Sequence, residues 1–108
     1  MAIHFPAPIA LFFQLSNDKD SASLDRCFAP DAAVHDEKHT YNGIAEITDW
    51  FIEAKKKYSY TADPLEMEEH DTGVVVRARV SGNFPGSPAV LRYVFETGND
   101  KIQSLAIG

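Results

Sequence analysis

The period of the apolar residues changes once along this chain, near Tyr58. Before it, Ile44, Ile47, Trp50, Phe51, Ala54 and Tyr58 recur at helical spacing, with Glu46, Asp49, Glu53 and the lysines 55–57 on the other face. After it the period is two. Val74, Val76, Ala78, Val80 and Phe84 share one face, and Val75, Arg77, Arg79 and Ser81 share the other. A helix is therefore predicted over 44–58. Strands are predicted over about 59–70, 74–84, 88–97 and 101–107, separated by D-T-G, F-P-G-S-P and T-G-N-D turns.

The first forty residues read less regularly. Pro6 and Pro8 precede an apolar stretch and suit the first turn of a helix, which is predicted to run to about Ser16. Ser21 or Ser23 caps a second short helix with Leu24, Cys27 and Phe28 on one face, ended by Pro30 and Asp31. Residues 32–41 are then extended, and Asn42-Gly43 is a turn. Three helices followed by antiparallel strands predict an α+β fold, with the helices on one face of a meander sheet. The 108 residues suit one domain spanning 1–108, large enough to hold a core without staples.

Charge and cysteine content narrow the function. A net charge of −6 argues against nucleic acid and against anionic membrane surfaces. Cys27 is the one cysteine, so no intramolecular disulfide and no multi-cysteine metal site can form; its apolar helix position predicts a buried thiol. No apolar run approaches a transmembrane length, and the N-terminus lacks the pattern of a signal peptide. A cytoplasmic location is expected. Glu66 and Glu68 lie one hairpin from Arg77, Arg79 and Arg92, which predicts cross-strand charge pairs, with an anion site on the arginines as the alternative.

The densest chemistry lies in A-V-H-D-E-K-H-T-Y-N-G at 33–43. Val34 and Asp36 share a strand face, which would desolvate the Asp36 carboxylate and raise its pKa. Such a group can take a proton α to a carbonyl and return it elsewhere. His35, His39 and Tyr41 fall on the opposite face of a straight strand; a bend would bring one of them to the pocket as a donor. His35 could instead orient Asp36 or titrate beside it. His35 and His39 are four apart, roughly 13 Å on a strand, so a zinc site is not expected. Nor is there a nucleophile–base pair, a phosphate loop or a dinucleotide fingerprint. No metal or cofactor is predicted.

F-A-P-D-A-A-V-H-D at 28–36, Y-N-G at 41–43 and the helix opening I-A-E-I-T-D-W resemble the nuclear transport factor two superfamily. Within it the likeness is to SnoaL-like polyketide cyclases and ketosteroid isomerases. G-N-F-P-G-S-P at 82–88 and K-I-Q-S-L at 101–105 are similar to SnoaL-like sequences too. The resemblance spans nearly the whole chain. It implies a cone-shaped domain whose strongly curved sheet encloses an apolar pocket, and a homodimer over the sheet face that bears Arg77 and Arg79.

The resemblance also implies site roles. In the ketosteroid isomerases the carboxylate at the position of Asp36 is the general base. A tyrosine and a protonated aspartic acid donate to the enolate oxygen. Their tyrosine falls at Phe12 and their second acid near Leu91 or Arg92, so this chain keeps the base position and lacks both donors. Loss of such donors costs several kcal/mol of transition-state stabilisation, which argues against a steroid isomerase of that design. Asp36 and His35 are the catalytic candidates. Tyr41, His39, Trp50, Phe12, Tyr93 and Phe95 are the binding candidates, with His39 or Tyr41 as a replacement donor.

Two readings follow. In the first, the pocket binds a small hydrophobic carbonyl compound and Asp36 shuttles a proton in a cofactor-free isomerisation, cyclisation or elimination. In the second, the same fold is a non-catalytic ligand-binding or dimeric assembly module.

Overall fold

The computed structural model describes residues 5–108. Residues 1–4, part of the stretch read above for a signal peptide, lie outside them. Two α-helices, α1 (Ala7–Asp18) and α2 (Gly43–Tyr58), pack inside a curved six-stranded sheet. The strands are β1 (Phe28–Asp36), β2 (His39–Asn42), β3 (Thr61–His70), β4 (Gly73–Ser81), β5 (Ala89–Gly98) and β6 (Lys101–Ile107).

The long periodic elements fall where the sequence puts them. Pro8 lies in the first turn of α1, and Lys19 ends that helix in the left-handed conformation. The α2 first turn is closed by Glu46, whose Oε1 accepts from the Asn42 backbone N–H at 3.0 Å. Ile47, Trp50 and Phe51 are its buried face. In β4, Val74, Val76, Ala78 and Val80 are buried, and Arg77, Arg79 and Ser81 are exposed. Arg77 pairs with Glu66 at 3.2 Å, whereas Glu68 turns to His70 on its own strand.

The predicted second helix is the correction. Only a 3-10 turn, Leu24–Arg26, forms there, and Phe28 already begins β1. Pro30 and Asp31 do not stop a helix. They are exposed residues of a strand, placed where the β1–β6 register shifts between Phe28 and Ala33. A proline has no N–H to give a ladder, and an irregular stretch of this kind is where a strand tolerates one. The predicted 74–84 strand is also shorter than expected: it ends at Ser81, and Phe84 belongs to the loop beyond.

The sheet order is β2-β1-β6-β5-β4-β3. Every neighbouring pair is antiparallel except β1 and β6, which run parallel. α2 packs on β1 and β2, and α1 on β3 and β6. The core between them is aromatic. Phe12 meets Phe13, Phe28 and Phe95 edge-to-face at centroid distances of 5.4, 5.7 and 5.7 Å, a geometry that aromatic quadrupoles favour. Cys27 is fully buried, and burial pushes its thiol up to about 12. No α-helix among the described residues is long and apolar enough to cross a membrane.

Candidate functional site

The 32–41 stretch is not one straight strand. It reverses at Glu37 and Lys38, both left-handed with φ of 51° and 66°, to make a two-residue hairpin turn between β1 and β2. The reversal changes which side chains share a face. Residues opposed across an antiparallel pair point the same way. Asp36 opposes His39 and Val34 opposes Tyr41, so His39 and Tyr41 lie on the face of Asp36. His35 opposes Thr40 on the other face, is exposed, and is hydrogen-bonded to the Thr40 hydroxyl at 3.0 Å. The expectation that His35 orients Asp36 is therefore corrected: the pleat turns it outward.

Asp36 ends β1 half-buried between two clefts. One, of about 200 Å³, is walled by Tyr60, Val80, Phe84, Leu91, Tyr93 and Ile107. The other, of about 340 Å³, is walled by His39, Tyr41, Asp49, Trp50, Glu53 and Lys57. Asp36, Glu37, Ala54 and Tyr58 border both. The first is an apolar cavity at the open end of the sheet, and the second is a polar groove over α2.

Among the described residues, one side-chain donor holds the Asp36 carboxylate. Trp50 donates its indole Nε1–H to Asp36 Oδ2 at 3.0 Å. Burial pushes the Asp36 pKa above the usual carboxylate range, and Glu37 adds to the rise; the Trp50 hydrogen bond and a backbone amide oppose it. Tyr41 braces the indole from the groove side, at 6.1 Å between ring centroids. At the cavity rim the Tyr58 hydroxyl donates to Glu37 Oε1 at 2.8 Å.

Two further tyrosines complete the cavity. Tyr60 is buried and its hydroxyl is pushed up to about 12 by desolvation, with Ser16 opposing. Tyr93 is pushed up too, by desolvation and by the nearby Tyr60 and Asp36. The Tyr60 carbonyl accepts from Lys55 Nζ at 2.9 Å, and the ammonium sits 3.5 Å over the Tyr60 ring. Burial lowers Lys55 to about 7.

Of the sequence-predicted residues, Asp36 and Tyr93 meet in the cavity, and Trp50, Tyr41 and His39 line the groove beside Asp36. Phe12 and Phe95 are 1% and 0% exposed and belong to the core, not to the cavity wall. Tyr60 was not singled out in the sequence. It falls inside the predicted 59–70 strand, but the structure places it in the short break between α2 and β3. A loop carries Phe84 and Pro85 to the cavity mouth. Gly82 permits this, since a Cβ there would lie 2.6 Å from the Tyr58 carbonyl oxygen.

The pattern of the SnoaL-like domain family matches residues 9–102. The chain belongs to the SnoaL-like family. A candidate polyketide cyclase from Sinorhizobium meliloti is 39% identical, over 96% of this chain and 95% of its own, with a TM-score of 0.93. A nuclear transport factor two-like protein of unknown function from Cytophaga hutchinsonii is 12% identical, over 100% and 91%, with a TM-score of 0.79. A protein of ketosteroid isomerase-like fold from Catenulispora acidiphila, crystallised with trimethylamine, is 16% identical, over 97% and 86%, with a TM-score of 0.84. The last two share the fold. A search of proteins with curated function found none that matches. The SnoaL-like fold therefore stands, and in this member the carboxylates of Asp36 and Glu37 border a largely apolar cavity.

Proposed function

We propose that this SnoaL-like protein binds a small hydrophobic carbonyl compound in the apolar cavity. Asp36 then shuttles a proton on that compound in a cofactor-free isomerisation, cyclisation or elimination. The observation that carries the reading is the Asp36 carboxylate, desolvated at the edge of the apolar cavity and held by Trp50 Nε1–H. A carboxylate whose pKa is raised towards working pH is a stronger base than an exposed one and can return the proton afterwards. The likeness to a candidate polyketide cyclase at 39% identity supports carbonyl chemistry.

The second reading is ligand binding or assembly without turnover. It is favoured by Phe12 and Leu91, which put no donor where the isomerases have theirs. We also expect a homodimer over the outer sheet face, where Val90 is 57% exposed; native mass spectrometry would read the dimer mass directly.

Trp50 is the only tryptophan and touches Asp36, so its fluorescence reports on the site. Small ketones and phenols titrated across pH 5 to 9 should quench it with a pH dependence that Asp36→Asn abolishes. Deuterium exchange at the α-carbon of a bound ketone then separates the two readings. Exchange that is lost in Asp36→Asn supports catalysis, and binding without exchange supports the module. No binding by any ketone or phenol would overturn the reading.

A further inference from the structure

Tyr93 carries a polar group on the cavity wall that the fold leaves unused. Tyr93, on β5, is 2% exposed. Its ring is clamped in the core, stacked on Phe95 at 6.3 Å and set against Phe13 at 5.2 Å. None of the hydrogen bonds among the described residues engages its hydroxyl. Yet no fully enclosed side-chain N or O among them lacks a partner. The Tyr93 hydroxyl therefore opens onto the cavity that Tyr93 lines. A buried hydroxyl without an acceptor is costly, and here the missing acceptor is replaced by open space beside Asp36. Tyr60 lies on the same wall, with Ser16 near its hydroxyl.

We propose that Tyr93 donates its hydroxyl hydrogen to the carbonyl oxygen of the ligand, and that this ligand is a compact ketone or enone of one or two rings. The proposal rests on the reading of the cavity as the site of a carbonyl compound. It supplies a donor from a position different from Phe12 and Leu91. The size follows from the volume. About 200 Å³ lies below the ~300 Å³ at which pockets for drug-sized ligands begin. It lies above the ~150 Å³ of an apolar cavity that accepts benzene.

Chemically, the Asp36 carboxylate takes the α-proton and the C–H electron pair becomes the C=C bond of an enolate. The carbonyl π electrons move onto oxygen, where the Tyr93 O–H hydrogen bond strengthens as charge develops. Asp36 returns the proton to carbon, and no oxidant or reductant is consumed. Tyr93 stays protonated throughout, since burial, with Tyr60 and Asp36 nearby, pushes its pKa up.

The test uses indanone labelled with carbon-13 at the carbonyl, its hydrocarbon counterpart indane, and three proteins: wild type, Tyr93→Phe and Asp36→Asn. In wild type the infrared carbonyl stretch of bound indanone should move to lower frequency than in hydrocarbon solvent. In Tyr93→Phe the stretch should return to the hydrocarbon value and indanone affinity fall about tenfold, the scale of one net hydrogen bond. Indane affinity should be unchanged. An unshifted stretch in the wild-type complex overturns the proposal without any variant, and so does a shift that survives in Tyr93→Phe. Binding of neither compound overturns the cavity reading itself and this proposal with it. Binding that responds to Asp36→Asn while the stretch ignores Tyr93→Phe overturns the Tyr93 role alone.

Discussion

Trp50 on α2 reaches across to β1 and donates its indole N–H to the Asp36 carboxylate at 3.0 Å. The bond favours the charged form of a group that burial pushes towards the neutral one. Trp50→Phe keeps an aromatic ring on the helix and removes the donor. The Asp36 pKa should then move further up, as read from the carboxyl carbon shift in an NMR titration. An unchanged pKa would mean that the indole contributes shape and no polarisation.

Asp36 is a site of stored cost. Its folded pKa lies above the unfolded value of 3.8, so the native state holds the proton more tightly. Stability is then greatest at low pH and falls as pH rises through the unfolded value to the folded one. Asp36→Asn keeps an oxygen that can accept from Trp50 and removes the charge. Its melting temperature should exceed that of wild type at pH 7, and the gap should close as the pH falls below 4. Loss of stability at pH 7 would show that the carboxylate is held by more than one indole.

Lys55 gives the opposite sign. It is 7% exposed, and its ammonium is lowered from 10.5 to about 7 by burial. Between those values the unfolded chain binds a proton that the folded chain does not, so stability rises with pH. Cys27, pushed from 9.0 to about 12, makes stability fall above pH 9, which leaves pH 7 to 9 as the window for Lys55. There the unfolding free energy should climb by up to ~1.4 kcal/mol per pH unit. Urea titrations of Lys55→Met should show the climb gone.

Phe12→Tyr restores the residue type that the isomerases carry at this position, but it should not restore a donor. Phe12 is 1% exposed among Phe13, Phe28 and Phe95 and does not reach the cavity wall. A hydroxyl there is buried without an acceptor, at ~1–3 kcal/mol. The urea midpoint should drop and ketone affinity should not rise.

The hairpin turn is strained at Lys38, whose φ is 66°. An L-residue in the left-handed region costs ~1–2 kcal/mol, and glycine avoids it while losing some backbone entropy. Lys38→Gly should stabilise the domain by ~0.5–1 kcal/mol, measured by thermal melting. Glu37, the other turn residue, is left intact because it accepts from Tyr58.

The parts of the fold that the sequence made legible are those with long, uniform periods. α2 and β3 to β6 fall within a few residues of the expected ranges, because each repeats its apolar spacing over at least two turns or several pleats. The predicted second short helix, between α1 and β1, was misread for a local reason. Pro30 and Asp31 carry the signature of a helix stop, and only the register shift against β6 makes them strand residues.

The site shows the same limit. Glu37-Lys38 lacks the Asn-Gly or Asp-Gly pattern of a two-residue turn, so the reversal that puts Tyr41 and His39 beside Asp36 left no local signal. The contact between Trp50 and Asp36 joins a helix to a hairpin, and neither period encodes it. Asp36 itself came forward through family likeness and an apolar neighbour, and Tyr93 through its place on an alternating strand.

The one parallel pairing in the sheet, between β1 and β6, has a consequence for biosynthesis. β3, β4, β5 and β6 can each close on their sequence neighbour as they emerge from the ribosome, but His35 must wait for Ala106. Until β6 has been made, the hairpin bearing Asp36 has an open edge and the cavity lacks Ile107. Contacts so distant in sequence form slowly. The cavity wall is therefore complete only once β6 is in place, and a nascent chain that stalls before β6 has both helices and an unfinished cavity.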